Sequence, residues 1–396
     1  MKIAIISPEI FPIPPIKGGA VETWIYKVAK ELCDVELNIL SIHSDTLPLE
    51  NKEGNINYFR YKRLWLDELL LASYKFPTKN SRSFFYWYFY SSWCAKICRH
   101  AKPGIIHIHN RWQFVPVVRK LNPNSKIVLH FHQLSALNFL PTQAIHLKER
   151  INTYIACSDF IKEEIKKRFG VKDESVSVVR NGVDFSDFKP VSEQEKKDLK
   201  ARWGFGEDRI VLYSGRLAEN KGCDVLIKAF LDLKPEKTKL VIAGGATYSD
   251  VSRTDYTKLL ERLRGDQKER IIFLGYIPHQ KMPELYKAAD VFVLPSQVEE
   301  ALGMSLIEAM ATGLAVIGSD RGGIKELIED GVTGFLVRDC SNPMAFSDKL
   351  KILLGRVDLA SDMGRKALEK VEKDYSWESV SQMLESVYTH VLKEKN

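Results

Sequence analysis

Apolar residues in this chain fall into short continuous runs, separated by longer stretches in which they recur every three or four positions. The short runs read as buried strands: 2–7, 35–41, 104–109, 126–131, 152–157, 210–214, 239–243, 271–274, 290–294 and 315–318. The longer stretches read as helices: 20–33, 84–100, a segment from Ser158 to Gly170, 223–233, 301–312 and the tail after Ser376. Ser158 and Ser376 are good N-caps. Residues 186–205 read as a linker and a polar helix, Asn181-Gly182 as a tight turn, and 44–83 as irregular. Strands that alternate with helices predict an α/β chain built on parallel, doubly wound sheets.

Length bounds this picture: 396 residues suffice for two domains of ordinary size. A hydrophobic content of 45% with 28% charged residues fits a globular protein. No apolar run reaches the ~18 residues of a membrane span, and the opening MKIAIIS is better read as a strand than as a leader. Six cysteines are spread without zinc spacing, which suits reduced thiols in the cytoplasm.

The net charge of +7 resides entirely in the first half. Residues 1–195 hold 27 Lys/Arg against 20 Asp/Glu, and residues 196–396 hold 31 of each. Between Glu68 and Glu149 there are 11 basic residues and no acid, with the aromatic run Phe84 to Tyr90 inside that gap. Such a stretch suits an anionic or lipid-linked acceptor at a membrane surface. The aromatics equally suit the buried face of a core helix. No nucleic-acid partner is expected.

The stretch richest in chemistry is 289–323. A strand ends at Pro295-Ser296, a polar loop carries Glu300, and a helix carries Glu308. Near Gly303, Met304 and Ser305 the helix start offers unpaired N–H groups and the positive end of its dipole, where an anion is at home. Two carboxylates beside such a seat suit a sugar nucleotide, although two glutamates alone are also what a solvated surface looks like. In a second loop, after the strand at 210–214, Arg216 and Lys221 can neutralise a diphosphate or stand as solvated cations.

In the first half, Gly18-Gly19 closes a proline-rich loop after the first strand and opens a helix. Glycines there let a ligand approach the backbone, or simply make a turn. Two strands end in histidine pairs, His107/His109 and His130/His132. Ligands of open parallel sheets bind beyond the carboxyl ends of strands, so one histidine of each pair is expected to face the crevice. Histidines in strands can also be core groups or hold zinc, but no Cys or carboxylate lies close by in sequence.

Taken together the chain resembles glycosyltransferase family 4. The match lies in Glu300 and Glu308 with seven residues between them, Gly303 among these and Ala309 after the second. It extends to Gly215-Arg216-Leu217 with Lys221-Gly222, to Asn181-Gly182-Val183-Asp184 and to Gly18-Gly19. Leu302 is a departure, since the family commonly has Phe there. The resemblance implies the GT-B fold: two Rossmann-like domains facing across a cleft, 1–187 with the last helix 376–396 on the acceptor side, and 188–375 for the nucleotide sugar. It implies that Arg216 and Lys221 clamp the diphosphate. Glu300 then meets the donor sugar, Glu308 the ribose, and Ile277 in the Gly275–Pro278 turn the base. His132 lies beside the donor sugar, and Gly18 and Gly19 lie against diphosphate and acceptor.

That reading makes the chain a retaining hexosyltransferase acting on a UDP-sugar or, second, GDP-mannose. It serves cell-envelope or spore-coat glycan synthesis, in the cytoplasm or at the inner face of the membrane, with possible contact through 69–148. No D-x-D triplet occurs, so no metal or other cofactor is predicted. Charge developing on the diphosphate is met by N–H groups, Arg216 and Lys221. Two rivals share the fold: a sugar-nucleotide epimerase, which needs no acceptor, and a non-catalytic nucleotide-sugar binding protein.

Overall fold

A computed structural model describes residues 1–16, 19–63, 79–245 and 254–393, with the backbone alone for 79–86. The chain divides into two compact units: Met1–Arg180 with Trp377–Asn396, and Asn181–Ser376.

The first unit is built on an eight-stranded sheet. In chain order its strands are β1 (Lys2–Ile6), β2 (Glu36–Ile42), β3 (Glu50–Glu53), β4 (Ile56–Tyr61), β5 (Ile105–His109), β6 (Lys126–Phe131), β7 (Thr153–Ala156) and β8 (Val176–Val178). They lie in the order β3-β4-β2-β1-β5-β6-β7-β8, parallel except for β3. Strand order reverses between β1 and β5, the switch point at which such sheets bind ligands. The last helix, Trp377–Lys393, belongs to this unit. Its Val380, Leu384, Val387, Tyr388 and Val391 recur at helical spacing and enter the core with Ile3, Trp24 and Ile105.

The second unit holds β9 (Arg209–Ser214), β10 (Thr238–Ala243), β11 (Ile271–Gly275), β12 (Val291–Leu294), β13 (Ala315–Ser319) and β14 (Gly334–Val337). Their order is β11-β10-β9-β12-β13-β14, all parallel, with the switch point between β9 and β12. Helix Cys223–Leu233 buries Val225, Leu226, Ala229 and Phe230 into a core that also takes Phe346, Leu350 and Leu353 of helix Pro343–Gly355. Both units are Rossmann-like, as the alternation of runs predicts.

Three local expectations need correcting. The segment 44–83 is not irregular throughout, because β3 and β4 lie in it. β3 is the all-polar edge strand Glu50–Glu53, and β4 hides its alternation by turning Arg60 inward. That guanidinium is 3% exposed and donates to the carbonyls of Ile13 and Pro48 and to Asn51. Asn181-Gly182 is not a tight turn. Val183 bridges Ser376, with its N–H on the Tyr375 carbonyl, and the chain reverses later, where Asp187 and Phe188 both donate to Asp184 O. The helix expected over 301–312 runs only from Met304 to Ala311. Residues before it are held as loop because Gly323 donates to Glu300 O and packs against Ala301.

Helix Lys79–Ala101 is longer than predicted. Tyr90, Cys94 and Cys98, at intervals of four, are fully buried, whereas Tyr88 and Phe89 are exposed. Burial pushes the Cys98 thiol up to about 12. Among the described residues no helix is long and apolar enough to cross a membrane.

Candidate functional site

In the second unit, adjacent strands bring the two charged loops together. Arg216 and Lys221 follow β9; Glu300, Gly303 and Glu308 follow β12; and those strands flank the switch point. The loops are then locked to one another. Gln297 donates its N–H to Asn220 O at 3.0 Å. Gly222 sits at φ 67° with the Pro295 carbonyl where a side chain would be: a Cβ would come within 2.0 Å of that oxygen. Only glycine satisfies both conditions.

This weld sets Lys221 Nζ 2.5 Å from Glu300 Oε1, with both side chains mostly buried. Ser296 also donates to that same carboxylate oxygen. A third loop supports Glu300 from behind: Gly323 N–H reaches its carbonyl at 2.8 Å, and Gly322 N–H binds the neighbouring Glu299 carboxylate. Lysine and glutamate therefore form one half-buried, prepositioned pair rather than two solvated charges.

Helix Met304–Ala311 starts beside this pair. Gly303 is its N-cap at φ 101°, no side chain caps it, and Met304 and Ser305 are half-buried in its first turn. Leu302 is 2% exposed, so leucine fills an apolar position there. Glu308, one turn on, is nearly buried and lies 3.3 Å from His279 Nε2. His279 follows the Gly275–Pro278 turn that carries half-buried Ile277. Arg216 is exposed, and its carbonyl accepts from Tyr213 Oη at 2.9 Å. The predicted residues of this unit thus all lie beyond the carboxyl ends of one sheet's strands. Sequence reading gave Gly222 no role beyond its place in the motif and Ser296 none beyond ending a strand, and it missed His279; a signal for the last was its place directly after the glycine–proline turn.

In the first unit Gly19 is the N-cap of helix Ala20–Glu31 at φ 116°, while Gly18 lies outside the described residues. Near this helix start Glu22 is 3% exposed, and burial lifts its carboxyl to about 7 against the pull of Arg111. Arg111 donates to Glu9 at 2.7 Å. None of these three was singled out from sequence.

The histidines depart from expectation. Partners in each pair are two residues apart, not one, so both face the same side of the sheet. All four rings gather around Trp24, with centroids 4.9–6.3 Å from the indole. His107, His109 and His130 are fully buried, and His132 is half-buried. His132 is held at both ends: its N–H donates to Asn110 Oδ1 at 2.7 Å, and its Nε2 lies 2.9 Å from His109 Nδ1. Burial drives His107 down to about 3 and the other two buried rings well below the usual range.

Comparison with known proteins follows this division. Residues 21–187 match the family model Glycosyltransferase Family 4, and residues 195–370 match Glycosyl transferases group 1. The chain is 32% identical over 399 residues to lipopolysaccharide 1,2-N-acetylglucosaminetransferase of Salmonella typhimurium, covering 97% of each. It is 27% identical over 397 residues to spore coat protein SA of Bacillus subtilis, covering 98% of this chain and 99% of that one. Its fold is similar to HepE of Anabaena, solved in complex with UDP-glucose, at a TM-score of 0.75 and 22% identity over 98% of this chain and 100% of that one.

Proposed function

This chain belongs to glycosyltransferase family 4 and has the GT-B fold, and from that premise we propose which transfer it performs. It moves a hexose or N-acetylhexosamine, with retention, from a nucleoside-diphosphate sugar to a glycan or lipid-linked acceptor in surface-polysaccharide synthesis. UDP is favoured as the nucleotide and GDP second. The domains divide the work at about residue 187, the helix 376–396 going with the acceptor side.

One observation carries the reading: the locked Lys221–Glu300 pair beside the start of helix Met304–Ala311. When the glycosyl–phosphate bond breaks, negative charge grows on the departing diphosphate. Lys221, Arg216 and the N–H groups of Met304 and Ser305 meet that charge, with no divalent ion needed at the phosphates. Glu300 holds a donor-sugar hydroxyl and Glu308 the ribose; Ile277 lies against the base. An acceptor oxygen bonds to the anomeric carbon on the face the diphosphate leaves, and its proton passes to the leaving phosphate oxygen. Within the first unit, Gly18, Gly19 and His132 are the residues we propose to handle donor and acceptor. Exposed Tyr88 and Phe89 within the basic stretch 69–148 support peripheral contact with an anionic membrane from the cytoplasmic side.

Thermal-shift screening of nucleoside diphosphates and their sugars tests the donor. A true donor at 100 times its Kd adds about 2.7 kcal/mol. Product NMR then reads the linkage. An inverted anomer, a turnover that requires added Mg²⁺ or Mn²⁺, or free sugar released as the main product with acceptor present would each overturn this reading. Failure to sediment with anionic liposomes at low salt would remove the membrane contact.

A further inference from the structure

The four-ring cluster of the first unit plays no full part in the transfer above; only His132 does. Three of its members have nitrogen atoms without a hydrogen-bond partner among the described residues. We propose that His107, His109 and His130 form a binding site for one divalent ion of the zinc class, held inside the first unit and separate from the diphosphate chemistry.

The argument starts from strand register. β5 and β6 are parallel neighbours with His109 opposite His130, and His107 is two residues before His109 on the same face. This alone brings three imidazoles together, with one ligand nitrogen from each lying within 4.8 Å of the others. All three are fully buried. Among the described residues, His107 Nε2, His109 Nε2 and both nitrogens of His130 have no hydrogen-bond partner. An unmatched buried polar atom costs about 1–3 kcal/mol, and native interiors rarely keep several together without an occupant.

The nitrogens that are matched decide what kind of occupant fits. His107 Nδ1 lies 2.7 Å from the Tyr388 hydroxyl, and His109 Nδ1 lies 2.9 Å from His132 Nε2. If each Nδ1–H donates, both Nε2 atoms carry lone pairs. That is how metal-binding histidines are set: the outer nitrogen donates to a neighbour and the inner one ligates. His130, unmatched at both nitrogens among the described residues, offers a third lone pair from one nitrogen and an N–H from the other. A water can donate to two of the rings and accept the His130 N–H, whereas a cation takes one lone pair from each ring; elemental analysis separates the two occupants. Imidazole suits late first-row ions.

Tetrahedral bonds of about 2.05 Å need nitrogens roughly 3.4 Å apart. Binding therefore requires the rings to turn about Cα–Cβ and Cβ–Cγ to draw the nitrogens in. The set brings no anion, and a hydroxide in the open position would lower the enclosed charge.

The test is elemental analysis of the full chain purified without chelator from zinc-supplemented culture, followed by zinc-edge X-ray absorption. About one zinc per chain with three imidazole ligands is expected. Co²⁺ loaded by refolding should give the intense visible absorption of a four-coordinate site. His130→Phe keeps a ring against Trp24 and should lose the metal, while Cys33→Ala, which removes an exposed thiol, should keep it. The proposal is overturned by wild-type zinc below about half an equivalent, by sulfur ligation, or by His130→Phe retaining zinc. If that variant does not fold, the wild-type spectrum decides. None of these readouts depends on glycosyl transfer.

Discussion

Replacing Lys221 by alanine asks whether the prepositioned cation does what the geometry implies. In the free protein Lys221 Nζ lies 2.5 Å from Glu300, with side-chain exposures of 19% and 15%. That places the pair between exposed ones, worth about 0.2–1 kcal/mol, and fully buried ones, whose disruption costs about 3–5 kcal/mol. Truncation leaves Glu300 with the Ser296 hydroxyl and the support of the Gly323 loop. A stability loss of roughly 1–2 kcal/mol follows, or a Tm lower by about 2–8 °C for a unit of this size. On the proposed reading the loss of activity should be much larger, because there the cation faces charge that appears fully only as the diphosphate leaves. Removing one such group costs ~10²–10³ in kcat, or about 2.7–4 kcal/mol. The assay is release of nucleoside diphosphate from the donor found by thermal shift, with Tm measured on the same samples. Lys221→Ala should keep its fold and lose turnover; Lys221→Arg should recover part of it. A folded Lys221→Ala enzyme within about threefold of wild type, less than 1 kcal/mol of barrier, would refute the reasoning.

Further outcomes follow from other residues. Glu308→Gln should weaken nucleoside diphosphate binding about tenfold, roughly the 1.4 kcal/mol of one charged hydrogen bond, while the binding of inorganic pyrophosphate is unchanged; calorimetry compares the two. Gly222→Ala should cost at least about 2–3 kcal/mol in chemical unfolding, since φ 67° and the Pro295 carbonyl both oppose a side chain; an unchanged midpoint would count against the loop weld. Glu22 makes the fold pH-dependent. Its folded pKa of about 7 lies above the usual 4.5, so the folded state holds its proton more tightly. The stabilisation is complete below pH 4.5 and is lost as pH rises through 7, a span of roughly 3 kcal/mol. Glu22→Gln should therefore gain Tm over wild type between pH 5 and 8, and a difference that stays flat with pH would exclude the buried carboxyl as its cause.

Much of the architecture was legible because a buried parallel strand must be almost continuously apolar, and runs such as 3–6, 105–109 and 291–294 satisfy that locally. β3 was not legible, since an edge strand needs no apolar face, and β4 was masked by an arginine that satisfies itself on carbonyls inside the fold. The helix start at Met304 was missed by three residues because Gly322 and Gly323, far along the chain, hold 300–301 as loop.

The sequence by itself determined the family, the two α/β repeats and the charged residues that family members share, because strand burial, helix periodicity and motif spacing are properties of neighbours in the chain. Only the tertiary structure decided that Lys221 and Glu300 are one ion pair, that His279 reaches Glu308, and that four histidines from two strands close around Trp24. Those juxtapositions depend on which strands lie side by side and in what register. Strand order and register are fixed by packing across the whole sheet, so no window of sequence contains them.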